Sequence, residues 1–283
     1  MLNNIYLMNH KKARLYRAFF FCFFLFILTA CHSLDSRLET KDDMLSGTAF
    51  HSAVIDTSTF PLFSAAKIQS SATDTSPLTI FIEGDGYAWV NRYTASGDPT
   101  PTNPVALQMA VNYSGNAIYL ARPCQYISSP HCTPAYWTYD RFAPDVLQAY
   151  MDALDEIATH KDVSSFRIVA FSGGAYIALN LAATRHDIDE VITVAGLLDP
   201  QEWTDYHNIS PLKPYTPLAK LIIESGDTRF LHICGQEDRV IPCTLTASFI
   251  GKTKDAGMDN HIVKQEAGKA HHDLIRSLGA LTF

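Results

Sequence analysis

The chain has 283 residues, of which 47% are hydrophobic and 18% charged, and its formal net charge is −7. This composition is typical of a globular protein and excludes a disordered or fibrous chain. The acidic balance disfavours nucleic acid as a partner, because nucleic acid attracts basic proteins. The length is sufficient for one well-buried domain.

The first thirty residues differ from the rest of the chain. An apolar run over 18–30 follows a basic segment that contains Lys11, Lys12, Arg14 and Arg17. The run is shorter than the roughly 20 residues that a membrane-spanning helix needs. A basic start, a short apolar core and small residues at its end are typical of an export signal. Residues 1–30 are therefore predicted to be a signal peptide, with an uncleaved N-terminal anchor as the alternative.

The end of this apolar run, Leu28-Thr29-Ala30-Cys31, resembles the lipobox of bacterial lipoproteins. The resemblance implies cleavage before Cys31 and acylation of its thiol by fatty acids such as palmitate. His32 follows in place of aspartate, which favours an outer-membrane position in the bacterial cell envelope, facing the periplasm. Removal of residues 1–30 leaves 18 basic and 29 acidic residues, a net charge of −11. Membrane contact would then come from the acyl anchor and not from charge.

The cysteines beyond this anchor are Cys124, Cys132, Cys234 and Cys243. An even number in an exported protein indicates two disulfides, for which three pairings exist. Closeness along the chain favours Cys124–Cys132 and Cys234–Cys243. A zinc site is the rival interpretation, but neither a C-x-x-C nor an H-E-x-x-H spacing occurs in the sequence. No metal and no cofactor is expected.

The remaining pattern is that of a single α/β domain over 47–283, preceded by a polar tether over 31–46. Apolar runs bounded by turn residues predict the strands: 48–56, 61–69, Leu78–Ile82, Ala117–Leu120, Phe166–Phe171, Val191–Val194, Phe230–Cys234 and His261–Lys264. Helical spacing predicts helices over 142–159, 174–184 and 272–280. This alternation predicts a mostly parallel central sheet with helices on both faces.

One segment, residues 197–220, interrupts the alternation. It contains Pro200, Pro211, Pro214 and Pro217. Proline removes a backbone donor and disfavours regular structure. The segment is therefore predicted to be a small irregular cap insertion over a site.

The strand over 166–171 runs directly into Ser172-Gly173-Gly174 and then into an alanine-rich stretch. This resembles the nucleophile elbow of α/β-hydrolases, G-x-S-x-G, with Ala170 at the first glycine position. A serine on such a sharp turn projects its hydroxyl above the sheet, and the residues two positions away must be small. The resemblance implies an α/β-hydrolase fold with Ser172 as the nucleophile. A glycine-rich turn in some other α/β protein is the alternative.

Members of that superfamily carry the acid and then the histidine after the serine. The pattern G-x-x-D-x-x-x-P over 235–242 follows a predicted strand and selects Asp238 as the acid, with Asp199 after the preceding strand as the alternative. After the last strand, Gly-x-x-His over 268–271 selects His271. The neighbouring His272 is the alternative, since adjacent residues point in different directions.

The second oxyanion donor in this superfamily comes from the loop after an earlier strand, here Glu83-Gly84-Asp85-Gly86-Tyr87. The expected donors are the backbone amides of Asp85 and Gly173. A carboxylate beside an oxyanion would be unfavourable. The side chains of Glu83 and Asp85 are therefore expected to point away or to pair elsewhere.

Several further stretches resemble a subgroup of bacterial hydrolases without an assigned substrate: 122–126, Cys132, 136–138, 141–142, and Asp199 with Trp203. With the elbow, acid and histidine, the resemblance covers roughly residues 78–283. For Arg122 and Trp137, buried structural roles are expected in preference to roles in lining a pocket.

The function implied by this resemblance is that of a serine hydrolase. Its substrate would be a small-molecule carboxylic ester, a thioester or a lipid-like ester, by analogy with the superfamily. Two alternatives stand beside it: a non-catalytic lipoprotein that uses the fold as a binding module, and an acyltransferase in which an alcohol replaces water.

Overall fold

Strands and helices alternate along most of the chain, as the apolar pattern predicts. The computed structural model describes residues 34–69, 76–161, 163–213, 216–217, 220–221 and 224–274. The strands are β1 His51–Ile55, β2 Leu62–Lys67, β3 Leu78–Ile82, β4 Trp89–Asn91, β5 Thr94–Ala95, β6 Ala117–Leu120, β7 Phe166–Phe171, β8 Ile188–Val194, β9 Arg229–Gly235 and β10 His261–Glu266. The helices are α1 over 34–45, α2 Val105–Asn112, α3 Pro144–Lys161, α4 Gly174–Ala182, α5 Pro200–His207 and α6 Cys243–Asp255, with a short 3₁₀ helix at Pro134–Trp137.

Eight of the strands form one sheet, in the order β1-β2-β6-β3-β7-β8-β9-β10. Strand β2 is antiparallel to both β1 and β6, and every other neighbouring pair is parallel. The prediction of a mostly parallel central sheet is therefore confirmed. Strands β4 and β5 form a separate hairpin.

Helices cover both faces of this sheet, which explains why the central strands β3 and β7 are apolar at all but one position each. In β3, Ile80 and Ile82 pack into one core cluster together with residues of α3 and α4. Phe81 between them packs into a second cluster that contains most of α2. Because successive side chains of a strand point to opposite faces, the two clusters lie on opposite sides of the sheet.

The predicted cap segment, residues 197–220, is less irregular than its prolines suggest. Helix α5 begins at Pro200 and is capped by Asp199, whose carboxylate accepts from the amides of Gln201 and Glu202 at 3.1 Å each. Proline is tolerated at the first turn of a helix, where its missing N–H has no partner to lose. Pro214 lies outside the described residues.

The N-terminal segment differs from the predicted tether over 31–46. Residues 34–45 form α1, and Arg37, Lys41 and Leu45 on this helix are buried against the domain. The guanidinium of Arg37 donates to the carbonyl oxygens of Asp98 and Thr100 at 3.1 and 2.8 Å. This polar segment therefore belongs to the domain, because its long basic side chains find partners there.

Three predicted features lie wholly or partly outside the described residues: the signal peptide over 1–30, Cys31, and most of the predicted last helix. Of that helix, only the start is described, and residues 271–274 form a turn. No helix in the described part of the chain is long and apolar enough to cross a membrane. Among the same residues, no group of three or more His, Cys, Asp or Glu side chains is arranged to hold a metal ion.

Two disulfides close short loops, with the pairing that closeness along the chain favours. Cys124 pairs with Cys132 and Cys234 with Cys243, at Cα–Cα distances of 5.7 and 5.4 Å. The second disulfide joins the end of β9 to the start of α6. It therefore encloses the loop that carries Asp238.

Removal of this second disulfide is expected to destabilise the protein. In the chain-entropy model a loop of this size contributes roughly 2–3 kcal/mol. We expect the double variant Cys234→Ala/Cys243→Ala to lose about that much unfolding free energy, measured by urea denaturation under non-reducing conditions. An unchanged unfolding midpoint, or free thiols at both positions in the unmodified protein by mass mapping, would contradict this expectation.

Two buried histidines pair across β9 and β10, away from Ser172. His232 Nε2 lies 3.0 Å from His261 Nδ1, and His232 Nδ1 lies 2.9 Å from Thr193 Oγ1. Burial, together with the charge of His261, lowers the pKa of His232 to about 3, and burial lowers the pKa of His261 to about 4. Both rings are therefore neutral in the folded protein at pH 7.

These depressed pKa values predict a loss of stability in acid. An unfolded histidine titrates near pH 6.5, so the stabilisation is complete above that pH and is lost as the pH falls toward 4. Each histidine contributes up to about 1.4 kcal/mol per pH unit in this window. The quantity to compare is the unfolding free energy of the wild type minus that of the double variant His232→Phe/His261→Phe. We expect this difference to fall by about 2–4 kcal/mol between pH 7 and pH 5.

The comparison with the double variant is needed because Glu83 acts in the opposite direction. Burial raises the pKa of Glu83 to about 7, so its contribution to stability grows as the pH falls from 7 toward its unfolded value. Glu83 is present in both proteins, and its contribution cancels in the difference. A difference that stays constant over this pH range would show that the histidine pair does not govern acid stability.

Candidate active site

Ser172 stands on a sharp turn between β7 and α4, at the carboxyl edge of the parallel strands. Its φ angle is +50°, in the left-handed region that side chains other than glycine rarely adopt. The turn is held by a neighbouring strand, since the Ser172 amide donates to the Val194 carbonyl at 3.0 Å. Strain of this kind persists only where surrounding structure imposes it, and it is typical of functional sites.

Small residues around Ser172 allow this turn to pack closely against β3. A Cβ atom added at Gly174 would lie 2.6 Å from the Glu83 carbonyl oxygen, and one added at Gly173 would lie 2.2 Å from Asp85 Oδ1. Ala170, two residues before the serine, is completely buried. The Ala-x-Ser-x-Gly pattern thus has the same steric basis as the glycine pattern that it resembles.

His271 connects Ser172 to Asp238 through two hydrogen bonds. His271 Nε2 lies 3.1 Å from Ser172 Oγ, and His271 Nδ1 lies 2.7 Å from Asp238 Oδ2. The histidine ring also packs against Phe171, with ring centroids 5.0 Å apart. A serine, a histidine and a carboxylate from three separate loops therefore form one continuous chain of hydrogen bonds.

The carboxylate of Asp238 is fixed on both oxygens. While Oδ2 faces His271, Oδ1 accepts from the amides of Val240 and Ile241 at 2.8 and 2.9 Å. The Asp238 side chain has no exposed surface. The loop is tied to the histidine loop as well, because the Glu237 amide donates to the Lys269 carbonyl at 3.0 Å. This geometry positions a carboxylate to orient the imidazole.

The two alternative residues are placed elsewhere. Asp199 caps α5 and its Oδ2 forms an ion pair with Lys252 at 2.8 Å, so its carboxylate is not at the histidine. His272 is exposed and lies at the edge of the same pocket, with its ring 5.2 Å from that of His271. Burial of part of the ring, followed by the charge of His271, lowers the pKa of His272. It makes none of the hydrogen bonds that link Ser172, His271 and Asp238.

The backbone amides expected as oxyanion donors belong to Gly173, which follows Ser172 in the turn, and to Asp85, in the loop after β3. Within the part of the chain that the structure describes, neither amide donates a hydrogen bond to another residue. Asp85 lines the pocket, and its carboxylate lies against Gly173. Both amides are thus available to a ligand oxygen.

The carboxylate of Asp85 pairs with two buried arginines. This agrees with the expectation that the side chain pairs with other groups and does not face the oxyanion. Asp85 Oδ1 lies 2.9 Å from Arg122 Nη1, and Oδ2 lies 2.8 Å from Arg141 Nη1. Two positive charges share one negative charge, so the cluster of these three side chains carries a net positive charge. The arginines also pack on aromatic rings, with Arg141 Cζ lying 5.2 Å from the Trp203 ring.

Arg141 was not assigned a role from the sequence. In the sequence, Arg141 is an arginine that precedes Phe142, and no local pattern links it to Asp85. Arg122 and Trp137, for which structural roles were expected, are both buried. The indole of Trp137 donates to the Ser96 carbonyl at 3.1 Å.

Glu83 is buried behind the same loop and caps the start of α2. Its carboxylate accepts from the amides of Gly84, Ala106 and Leu107 and from the Tyr119 hydroxyl. Burial raises its pKa to about 7, although each of these hydrogen bonds acts to lower the pKa. A carboxylate at a helix N-terminus is favourable, and here the contact fixes the loop that presents the Asp85 amide.

A pocket of about 560 Å³ opens directly above Ser172 and His271. Its walls come from the loop after β3, the β4 strand, the start of the cap segment and the acid loop. The apolar lining residues are Ala88, Trp89, Pro101, Phe171, Leu197, Trp203, Val240 and Ile241. Arg141 adds a charged group to this lining. The pocket suits a ligand with an apolar part next to a group that reacts at Ser172.

Comparison with known proteins identifies the fold. No protein-family model matches the sequence, and no curated protein is significantly similar to it. An α/β serine hydrolase homologue from Coxiella burnetii is 13% identical, with a TM-score of 0.55, covering 81% of this chain and 93% of its own. A serine hydrolase without a lid from Xanthomonas campestris is also 13% identical, with a TM-score of 0.52 and coverages of 82% and 90%.

An esterase from Pyrococcus furiosus gives a similar result, with 10% identity, a TM-score of 0.56 and coverages of 84% and 87%. Identities this low carry information about the fold alone. Together with the sheet order, the matches show that the chain has the α/β-hydrolase fold.

Proposed function

On this α/β-hydrolase fold, we propose that the chain is a serine hydrolase that cleaves carboxylic esters through an acyl-enzyme. The observation that carries the proposal is the hydrogen-bonded chain from Ser172 Oγ through His271 to Asp238. Such a chain activates a hydroxyl that is otherwise a weak nucleophile, because the imidazole accepts its proton as it attacks.

In the first half of the reaction, Ser172 Oγ attacks the ester carbonyl while His271 Nε2 takes the hydroxyl proton. The amides of Asp85 and Gly173 hold the oxyanion of the tetrahedral intermediate. When that intermediate collapses, the bond to the alcohol oxygen breaks and His271 returns the proton to the leaving alcohol. The acyl group remains on Ser172 as an ester.

In the second half, water replaces the alcohol. His271 takes a proton from the water as its oxygen attacks the acyl carbonyl, and the same two amides hold the second oxyanion. Collapse breaks the bond to Ser172 Oγ, which recovers its proton from His271, and the carboxylic acid leaves. Asp238 holds the histidine tautomer and stabilises the imidazolium that forms in each half.

The positive cluster of Arg122, Arg141 and Asp85 supports this role for the oxyanion site. An isolated carboxylate beside an oxyanion would oppose its formation. Here two arginines neutralise Asp85 at 2.9 and 2.8 Å, and they hold its backbone in the loop that faces Ser172. The arginines are thus positioning residues and not catalytic residues.

Esters and thioesters are favoured over peptides as substrates by the apolar lining of the pocket and by analogy with the fold. The decisive experiment has two readouts. A fluorophosphonate probe should label Ser172, as located by peptide mass mapping, and nitrophenyl esters of increasing acyl length should yield free acid. Absence of labelling under conditions where the protein is folded would overturn the proposal and leave a binding module.

The same experiment separates hydrolysis from acyl transfer. With an added alcohol at high concentration, a hydrolase still yields mainly the free acid, whereas an acyltransferase yields the new ester. Product analysis by mass spectrometry distinguishes the two.

We also propose that the chain is anchored to a bacterial outer membrane, facing the periplasm, by a lipid on Cys31. The support is the lipobox-like Leu28-Thr29-Ala30-Cys31 at the end of a short apolar run. Growth of expressing bacteria with an alkyne fatty acid should label the protein, and Cys31→Ser should remove the label. Equal labelling of both proteins would exclude this anchor.

A further inference from the structure

Exposed apolar side chains are concentrated around the mouth of the active-site pocket. Among the described residues, nine large hydrophobic side chains are exposed. Six lie on segments at the mouth: Val90, Tyr93, Tyr139, Tyr206, Ile209 and Val240. We call these six residues the mouth rim. The other three lie along the sheet, at Val54, Ile68 and Ile262.

The rim is continuous with the pocket lining. Val240 itself lines the pocket, and Trp89, next to Val90 in the β4–β5 hairpin, lines it as well. The Trp89 ring lies 6.0 Å from that of Tyr139. Exposure is high in this region: Tyr93, at the tip of the hairpin, is 86% exposed.

On the opposite side of the mouth, α5 carries the rest of the rim. The pocket residue Trp203 lies 5.1 Å from His207 between ring centroids, and His207 lies 5.0 Å from Tyr206. The indole of Trp203 donates to the Val240 carbonyl at 2.8 Å. Contacts of this kind hold the rim in place without any ligand.

Hydrogen bonds to backbone carbonyl oxygens join the two sides into one surface. Arg92 Nη2 donates to the Asn208 carbonyl at 3.4 Å, linking the hairpin to the end of α5. The Lys213 amide donates to the Tyr139 carbonyl at 2.8 Å. The rim contains three tyrosines, Tyr93, Tyr139 and Tyr206. Aromatic residues with a polar group at one end are typical of surfaces that meet a membrane interface.

The start of α1 shows which way this surface would face. Its first turn lies at the carboxyl edge of the sheet, since Arg37 bonds to the carbonyl of Thr100, next to the pocket residue Pro101. Arg37 also lies over the ring of Tyr87, whose neighbours in the chain, Gly86 and Ala88, both line the pocket. The helix then runs away from this edge, because it ends at residue 45, shortly before His51, where β1 begins at the opposite edge of the sheet.

Little chain separates this edge from the proposed anchor. Residues 31–33 precede the start of α1 at residue 34, and three residues span at most about 10 Å. A lipid on Cys31 would therefore hold the first turn of α1, and with it the pocket mouth, close to the membrane surface.

We infer that the mouth rim rests on a phospholipid bilayer and that the ester substrate enters the pocket from that lipid phase. This inference uses the proposed hydrolase activity to name the substrate class and the proposed anchor to orient the domain. The exposed basic residues Arg92, Lys213 and Arg239 lie beside rim residues, where they can meet lipid phosphates. The net charge of the whole chain does not drive this contact; burial of the apolar rim does.

The first test uses the three tryptophans of the chain as depth probes. The full-length protein is reconstituted in phosphatidylethanolamine and phosphatidylglycerol vesicles whose acyl chains are brominated, which quenches nearby indoles. We expect quenching in the wild type that is reduced in Trp89→Phe, lost in Trp89→Phe/Trp203→Phe and retained in Trp137→Phe, because Trp89 and Trp203 line the pocket whereas Trp137 is buried in the domain. Equal fluorescence in brominated and ordinary vesicles would overturn the inference.

The second test compares matched surface variants. Tyr93→Ser/Tyr206→Ser removes two rim residues, and Val54→Ser/Ile262→Ser removes two exposed apolar residues from the sheet. We expect the reconstituted rim variant to hydrolyse a vesicle-bound ester roughly tenfold more slowly, with an unchanged rate on a soluble short ester. The sheet variant should match the wild type in both assays.

These outcomes separate the two proposals. If neither the wild type nor any variant cleaves the soluble ester, the proposed function fails. Tryptophan quenching by brominated lipid then still reports whether the rim contacts the bilayer. If the rim instead joins two copies of the chain, quenching is absent and cross-linking through Tyr93 depends on protein concentration. That result would overturn the lipid contact.

Discussion

Replacement of Ser172 by alanine is expected to lower ester hydrolysis by at least about 10³-fold, because the attacking atom is removed while the oxyanion donors remain. Labelling by a fluorophosphonate probe should disappear completely. Alanine retains the Cβ atom and the strained φ of +50°. The unfolding free energy should therefore stay within about 0.5 kcal/mol of the wild type.

A second substitution at this position tests the strain independently. Ser172→Gly also removes the nucleophile, but glycine adopts positive φ without a steric cost. We expect this variant to be inactive and more stable than Ser172→Ala by about 1 kcal/mol. The measurement is denaturant unfolding of both variants beside steady-state hydrolysis of a short nitrophenyl ester. Substantial activity in either variant would rule out Ser172 as the nucleophile.

The second large effect is expected at His271. His271→Ala removes the group that connects Ser172 Oγ and Asp238 Oδ2, at 3.1 and 2.7 Å. Triad residues act as a unit, so we expect a loss of roughly 10³-fold or more in kcat. The neighbouring His272 makes neither of these hydrogen bonds, and its ring is on the exposed side of the pocket.

His272→Ala is therefore the matched control for this substitution. The two variants differ by one position and remove the same chemical group. We expect His272→Ala to retain kcat within about threefold for a soluble ester, with changes confined to KM, because His272 lines the pocket. The reverse result, with His272→Ala inactive and His271→Ala active, would exchange the two assignments.

Asp238 is distinguished from Asp199 by the same kind of evidence. Asp199 holds the N-terminus of α5 and pairs with Lys252, so its substitution affects the helix and its packing. Asp238 carries two backbone hydrogen bonds on one oxygen and the imidazole on the other. Only the arrangement at Asp238 can orient a histidine during proton transfer.

Much of the fold could be predicted from the sequence, because its central strands are locally distinctive. β3 and β7 are short runs of apolar residues that end in glycine-containing turns. Helix α3 has apolar residues at helical spacing, and Val146, Tyr150, Leu154 and Ile157 are buried on one side as expected. Helix α2 was not predicted, because its residues are apolar on nearly every side and show little periodicity.

The tether prediction failed for a different reason. Residues 34–45 are polar, and composition alone favours a solvated segment. Their burial depends on distant partners, such as the carbonyl oxygens of Asp98 and Thr100 for Arg37. A long basic side chain can cover apolar surface and still reach a polar partner, and such partners are not visible in the local sequence.

The sequence by itself determined the strand, turn and helix around Ser172, because the requirement for small neighbours on a sharp turn is local. It also narrowed the acid and the histidine to two candidates each. Only the tertiary structure shows which of these candidates form a hydrogen-bonded chain with Ser172, since Ser172 and His271 are separated by 99 residues and meet at one edge of the sheet. The pairing of Asp85 with Arg122 and Arg141 has the same origin, because hydrogen-bond geometry between distant loops depends on how the strands are ordered.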